Sequence, residues 1–230
     1  CCRDSPTPDD DPNVYSVDAT HGVHVSGLAS AVTDNGKGIA SIAYNNAKLL
    51  IVKVSGDDFP KDVVKGYEGI VYAVDKGAKI INCSWGGPDS GPYGQNIINY
   101  AIRKDCLVVA AAGNGDPNTG IGYPRVDYPA AYPGVLAVAS VSNSNEKSRF
   151  SNYGLQISIS APGEHILSTL YNNAYGNNSG TSMATPLVSS AAALVKMHFP
   201  SLTMHQVGER LKATVDNIDA KNFNYAGFLG

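Results

Sequence analysis

Apolar residues along this chain follow two alternating rhythms. Short, near-continuous runs at residues 48–54, 78–83, 107–112, 135–141 and 156–160 predict strands. The run at 48–54 is apolar on both faces, which places it centrally in a parallel sheet. Elsewhere apolar positions recur at helical spacing. His21, Val25, Leu28 and Val32 predict a helix over 21–32. Val63, Val64, Tyr67, Ile70, Val71 and Val74 predict an amphipathic helix over 60–75, closed by Gly77. A further helix is expected over 96–104 and a hairpin around 166–171.

The run from Leu187 to Val195 carries no charge, so it predicts a helix buried on most sides and stopped at Phe199-Pro200. Ser182 stands where a loop becomes this helix, Gly180 allows the tight turn before it, and Pro186 is expected in the first helical turn. A last helix over 202–214 opens with a capping-box pattern, Thr203 to Gln206. Strands alternating with helices at this spacing mean right-handed βαβ units. The fold class is therefore α/β, one parallel sheet with helices on both faces.

The length, 230 residues, holds one sizeable core in one domain. Residues 1–20 differ from the rest. Pro6, Pro8 and Pro12 surround Asp9-Asp10-Asp11, which predicts a polar surface arm ahead of a domain over 21–230. A net charge of −3 offers no basic footprint, which argues against a nucleic-acid partner. No apolar run approaches the length of a membrane span, which argues against a membrane partner. Cys83 ends one predicted strand and Cys106 opens the next, so as neighbours in a parallel sheet the two sulfurs lie beyond bonding distance and are expected as buried thiols. Cys1 and Cys2 lie at the chain end, and their disulfide state stays open.

Three segments carry the candidate chemistry. His21-Gly22-Val23-His24-Val25-Ser26-Gly27 opens a helix, Ala110-Ala111-Ala112-Gly113-Asn114-Gly115 ends a strand, and Gly180-Thr181-Ser182-Met183-Ala184-Thr185-Pro186 opens the buried helix. Reactive groups of an open parallel sheet gather at the carboxyl ends of its strands, where Asn114 falls. A hydroxyl needs a neighbouring base to act as a nucleophile at neutral pH, and imidazole titrates in the right range. A tetrahedral intermediate needs fixed donors, which the Asn114 amide and the Ser182 backbone N–H at a helix N-terminus supply.

At these residues the chain resembles the subtilisin-like serine proteases (subtilases), whose signature runs are close to HGTHVAG, AAGN and GTSMATP. The order is the same, and the resemblance extends from about residue 21 to about residue 213. It implies a three-layer α/β domain with a mostly parallel central sheet. It also implies a serine endopeptidase acting through an acyl-enzyme, with Ser182 as nucleophile, His21 as general base and Asn114 as oxyanion donor. Asn82-Cys83-Ser84-Trp85-Gly86-Gly87 resembles the family's substrate-binding strand, so Ser84, Trp85 and Gly86 would pair main chain to main chain with an extended peptide. Trp85 replaces a usual leucine and would narrow or flatten the groove. The resemblance further implies a protein or peptide substrate, a monomer, and an extracellular or cell-surface location. No catalytic cofactor is implied; calcium would enter as a structural ion in the loop holding Asp34 and Asn35, where an ordinary Asp-Asn-Gly turn is the equal alternative.

One departure carries a consequence. The family's third triad member is an aspartate about 30 residues before the histidine, and position 21 leaves no room for it. Asp18 is the nearest candidate, three residues before His21 in the polar arm. The expectation is an incomplete catalytic domain, lacking the aspartate-bearing N-terminal strand and a closing C-terminal element, and poorly active alone. The alternative is a catalytically inactive pseudo-protease that binds peptides. His21 and His24 form H-x-x-H on one helical face, but with no third ligand evident a packed core histidine is the expected role of His24, and no metal site is assigned.

Overall fold

Four strands build the central sheet: β1 (Ile80–Cys83), β2 (Leu107–Ala111), β3 (Leu136–Val141) and β4 (Ile159–Pro162). They lie side by side in that order and every pairing is parallel, with Cys83 opposite Ala110, Ala111 opposite Val138 and Val141 opposite Pro162. This is a computed structural model that describes residues 13–15, 17–56 and 59–230. Of the expected arm over residues 1–20, residues 1–12, with Cys1 and Cys2, and residue 16 lie outside the described residues.

Alternation along the strands separates two cores. Ile81, Cys83, Val108, Ala110, Ala137 and Ala139 face one side. There they meet α2 (Gly66–Asp75) through Ile70, Ala73 and Val74, and α3 (Pro92–Arg103) through Ile97, Ile98 and Ala101. Leu107, Val109, Leu136, Val138, Ile159 and Ala161 face the other side. They meet α4 (Thr181–His198) through Ala184, Val188 and Ala192, and α5 (Met204–Ala213) through Met204, Val207 and Leu211. The result is three layers, helix, sheet, helix, because a strand's side chains alternate between faces. The expected capping box forms: Thr203 Oγ1 accepts from Gln206 N, and Gln206 Oε1 accepts from Thr203 N.

Several expectations are corrected. The run 48–54 joins no ladder; Leu49, Leu50 and Ile51 are exposed, and Val54 O instead accepts from Val64 N and Lys65 N. That turn occupies the stretch expected to open a helix at 60, so α2 begins at Gly66, and Gly77, at φ 86°, closes it. Only the β1–α3–β2 crossover carries a helix; β2 reaches β3, and β3 reaches β4, through loops without one. The hairpin pairs β5 (Ile166–Leu170) antiparallel with β6 (Ala174–Asn178), further along the chain than expected.

The first helix is α1 (Thr20–Ser30), preceded by a 3-10 turn over Val17–Ala19, so the arm's last residues are already structured. It packs against α4 and β5. Ser168 Oγ donates to His24 O at 2.7 Å, Thr169 Oγ1 to Val23 O at 2.9 Å, and Ser190 Oγ to Ala29 O at 2.9 Å. Gly27 is required here, since a Cβ on it would meet the Ser168 and Thr169 hydroxyls.

Candidate active site

Three backbone termini place the candidate groups: the start of α1 (His21), the turn after β2 (Asn114) and the start of α4 (Ser182). A helix N-terminus leaves its first N–H groups without intrahelical partners. At α4 the Thr181 N–H is taken by Asn114 Oδ1 at 2.8 Å, and Thr181 Oγ1 donates to the same oxygen at 2.9 Å. Two donors on Oδ1 fix the amide's orientation and leave Nδ2 on the other side. Gly180 N donates to Gly163 O at 2.8 Å, which anchors the residue before the helix beyond the end of β4.

The key distance set involves a missing side chain. A Cβ at Gly180 would lie 3.5 Å from Asn114 Nδ2 and 3.6 Å from Ser182 N. The same point lies 3.7 Å from Asn114 Oδ1, so these atoms border one small space that a methyl group would enter at ordinary van der Waals distances. Asn114 is exposed, so the space faces solvent.

Ser182 is tied to the expected substrate strand by reciprocal bonds. Ser182 Oγ donates to Ser84 O at 3.1 Å, and Ser84 Oγ donates to Ser182 O at 2.8 Å. The second bond answers a defect in α4. The helix starts at Thr181, so Pro186 lies in its second turn, not its first as expected. Proline has no N–H to give to the carbonyl four residues back, which is that of Ser182. Ser84 supplies the missing donor, and its own oxygen accepts from Asn82 Nδ2 at 2.9 Å. Asn82 Oδ1 accepts from Ser189 Oγ at 2.9 Å, one further turn along the helix. The Ser84 side chain is thus buried against α4. Trp85 turns back toward α2, its ring edge-on to Tyr67 at 5.5 Å and against Gly66; Gly86 is exposed.

His21 is exposed in the first turn of α1 and has no hydrogen bond to Ser182 among the described residues. Its pKa is lowered, chiefly by the desolvation that surrounding protein imposes and further by His24, so the ring is neutral and basic at neutral pH. His24 is fully buried, and its Nε2 bridges Ile166 O at 3.0 Å and Gly176 O at 3.1 Å. It pins the hairpin to α1. Asp18 does not orient His21: it is exposed and pairs with Lys61 at 3.2 Å.

The loop that would take calcium does not fit the ion. Asn35 Oδ1 accepts the Lys37 N–H at 3.0 Å, Asp34 is the single carboxylate there, and among the described residues no three His, Cys, Asp or Glu side chains converge. Calcium takes about six to eight oxygens.

Sequence reasoning missed Thr181, Asn82 and Asp127. Thr181 holds Asn114; Asn82 holds both Ser84 and α4. Asp127 sits between Gly86 and Gly113: its Cβ lies 3.4 Å from where a Cβ of Gly86 would be, and a Cβ on Gly113 would overlap its carboxylate. The available signal was one acid inside the aromatic, apolar run Val126-Asp127-Tyr128.

Comparison with known proteins identifies the family. The chain is 46% identical over 182 residues to the major intracellular serine protease of Bacillus subtilis (strain 168), covering 77% of this chain and 55% of that one. It is 42% identical over 175 residues to thermitase of Thermoactinomyces vulgaris, covering 76% and 60%. The chain thus spans somewhat over half the length of these curated relatives. Among solved structures it superposes on a protease from Pseudoalteromonas arctica PAMC 21717 with a TM-score of 0.80 at 33% identity, covering 90% of this chain and 67% of that one. On sphericase the TM-score is 0.78 at 32% identity, covering 90% and 73%. One relative is named as intracellular, so the expected extracellular or cell-surface location does not follow from kinship. No helix among the described residues is long and apolar enough to cross a membrane. The model of the subtilase family matches residues 2–228, and the chain belongs to that family.

Proposed function

We propose that the polypeptide carrying this chain is a serine endopeptidase that hydrolyses peptide bonds through an acyl-enzyme on Ser182. The observation that carries the reading is the pair of nitrogens, Asn114 Nδ2 and Ser182 N, that border one space beside Gly180 at the start of α4. An extended peptide lies along Ser84–Gly86, main chain to main chain. Its scissile carbonyl oxygen enters the space between the donors. There the charge that develops in the transition state is stabilised by dipoles already in place.

His21 takes the Ser182 proton as the oxygen attacks the carbonyl carbon, then gives it to the departing amine; water, activated by the same ring, releases the acid product. For this, Ser182 Oγ must leave Ser84 O and turn to the imidazole. The Ser190–Ala29 bond supports the required juxtaposition. It falls eight residues after Ser182 and eight after His21, so equal lengths of helix lead back to the two groups.

The test uses the full natural polypeptide with a quenched fluorescent protein substrate and an organophosphorus probe. Hydrolysis with probe attached at Ser182, both lost in Ser182→Ala, is the expected result. Hydrolysis that persists in Ser182→Ala refutes the reading. Tight peptide binding with neither hydrolysis nor labelling would instead favour the pseudo-protease.

A further inference from the structure

Asn152 is a fully buried amide that the mechanism above leaves without a role. It stands in the loop between β3 and β4, and from there it holds the turn that bears Asn114. Its backbone N–H donates to Gly113 O at 3.0 Å, and its side-chain Nδ2 donates to Ala112 O at 3.1 Å. One residue thus grips the carbonyls of the two residues just before Asn114. Asn152 Oδ1 accepts from Tyr123 N at 2.8 Å, so the amide can present Nδ2 to Ala112 in one orientation only.

The turn needs such a hold. Gly113 and Gly115 flank Asn114 at φ 106° and 70°, and glycine restricts the chain least of all residues. Asn152 fills the volume beneath this flexible stretch, since a Cβ on Gly113 would overlap its Nδ2. The loop that carries Asn152 is itself referred to the sheet. Ser151 Oγ donates to Asn152 O at 3.0 Å and accepts from Ser140 N, on β3, at 2.9 Å.

The two ends of the Asn114 residue are therefore fixed by different elements. Thr181, at the start of α4, holds Oδ1 at the tip of the side chain. A side chain held only at Oδ1 can still swing Nδ2 about that point, so the place of Nδ2 also depends on the backbone from which the side chain springs. Asn152 supplies that second anchor. Ala112 O also accepts from Asp127 N at 3.0 Å, so truncating Asn152 loosens the turn without leaving that carbonyl unpaired.

We propose that Asn152 is a positioning residue for the peptidase reaction: by gripping the Ala112 and Gly113 carbonyls, it sets the Asn114 amide where the oxyanion forms. It touches neither the substrate nor the reacting atoms and acts only through Asn114. This rests on the peptidase reading above, which gives Asn114 its part.

The test is steady-state hydrolysis of a peptide p-nitroanilide by the full natural polypeptide. Asn152→Ala is expected to lower kcat by about 10–100-fold with KM little changed, since a misplacement of about 1 Å costs up to about 10²-fold. The deciding measurement repeats the substitution in an Asn114→Ala background. With the Asn114 amide already gone, Asn152→Ala should cost less than about 2-fold further. A loss of the same size in both backgrounds, as a role in stability alone would give, overturns the proposal. So does a raised KM with kcat unchanged. Asn152→Ser removes less volume and covers the case in which Asn152→Ala does not fold; its smaller loss of kcat should likewise vanish in Asn114→Ala.

A second readout separates this proposal from the reading it rests on. In Ser182→Ala protein with isotope-labelled asparagine, the Asn114 side-chain NH2 resonance is identified by its absence in Asn114→Ala. Asn152→Ala or Asn152→Ser is expected to shift or broaden it. That change, in a polypeptide that neither hydrolyses peptides nor is labelled at Ser182 when unmutated, upholds the grip on Asn114 and refutes the peptidase. Hydrolysis by the unmutated enzyme with an unmoved Asn114 resonance in the Asn152 variants does the reverse.

Discussion

Replacing Ser84 by alanine tests whether Pro186 and Ser84 form one unit. The Ser84 hydroxyl donates at 2.8 Å to the Ser182 carbonyl, the acceptor that Pro186 leaves without its intrahelical N–H. Ser84 is 7% exposed, so water does not readily replace the lost donor. An unsatisfied buried carbonyl costs about 1–3 kcal/mol. The same substitution in a Pro186→Ala background meets a different situation, because the new N–H at position 186 reaches the Ser182 carbonyl directly. There the cost shrinks to the loss of the Asn82–Ser84 bond, about 0.5–1.5 kcal/mol. The double-mutant cycle should therefore show a coupling of about 1 kcal/mol or more.

The gain in helix propensity on replacing proline, up to about 3 kcal/mol, appears on both sides of the cycle and cancels. Urea unfolding of the full natural polypeptide measures each corner. In this chain Trp85, the single tryptophan, adjoins Ser84 and reports the transition. Costs of Ser84→Ala that agree between the two backgrounds within about 0.3–0.5 kcal/mol, the scatter of independent sites, would refute the account of α4.

Gly180→Ala places a methyl between Asn114 Nδ2 and Ser182 N, so kcat should fall while KM changes little, as for a contact made in the transition state. Asn114→Ala should lower kcat by about 10²–10³, a figure measured on a subtilisin and not worked from these distances; unchanged steady-state constants in either variant would count against the donor pair. Because the His21 pKa is lowered, kcat/KM should fall on the acid side with an apparent pKa below 6.5, and a limb above 6.5 would contradict His21 as the base with a pKa lowered by desolvation. His24, buried and neutral, has its folded pKa lowered too. Its contribution to stability is complete above the unfolded value of 6.5 and is lost as pH falls toward the folded pKa, by at most about 1.4 kcal/mol per pH unit; thermal unfolding between neutral and mildly acidic pH measures this. Burial pushes the Cys83 thiol up to about 12, so iodoacetamide should leave Cys83 unmodified in the native protein at mildly alkaline pH and label it after urea unfolding.

What the sequence made legible was carried by local signals. A charge-free run announces α4, and a Thr203–Gln206 spacing announces the cap of α5, because each needs only neighbours along the chain. The triplet His21, Asn114 and Ser182 stood out for the same reason, each at the terminus of an element. The run 48–54 failed as a strand because apolar character does not suffice; a ladder needs a partner, and Val54 spends its carbonyl on Val64 and Lys65. The position of Pro186 was misread by one turn because the helix takes its first N–H partner from Asn114, 67 residues upstream. No local rule includes such a partner.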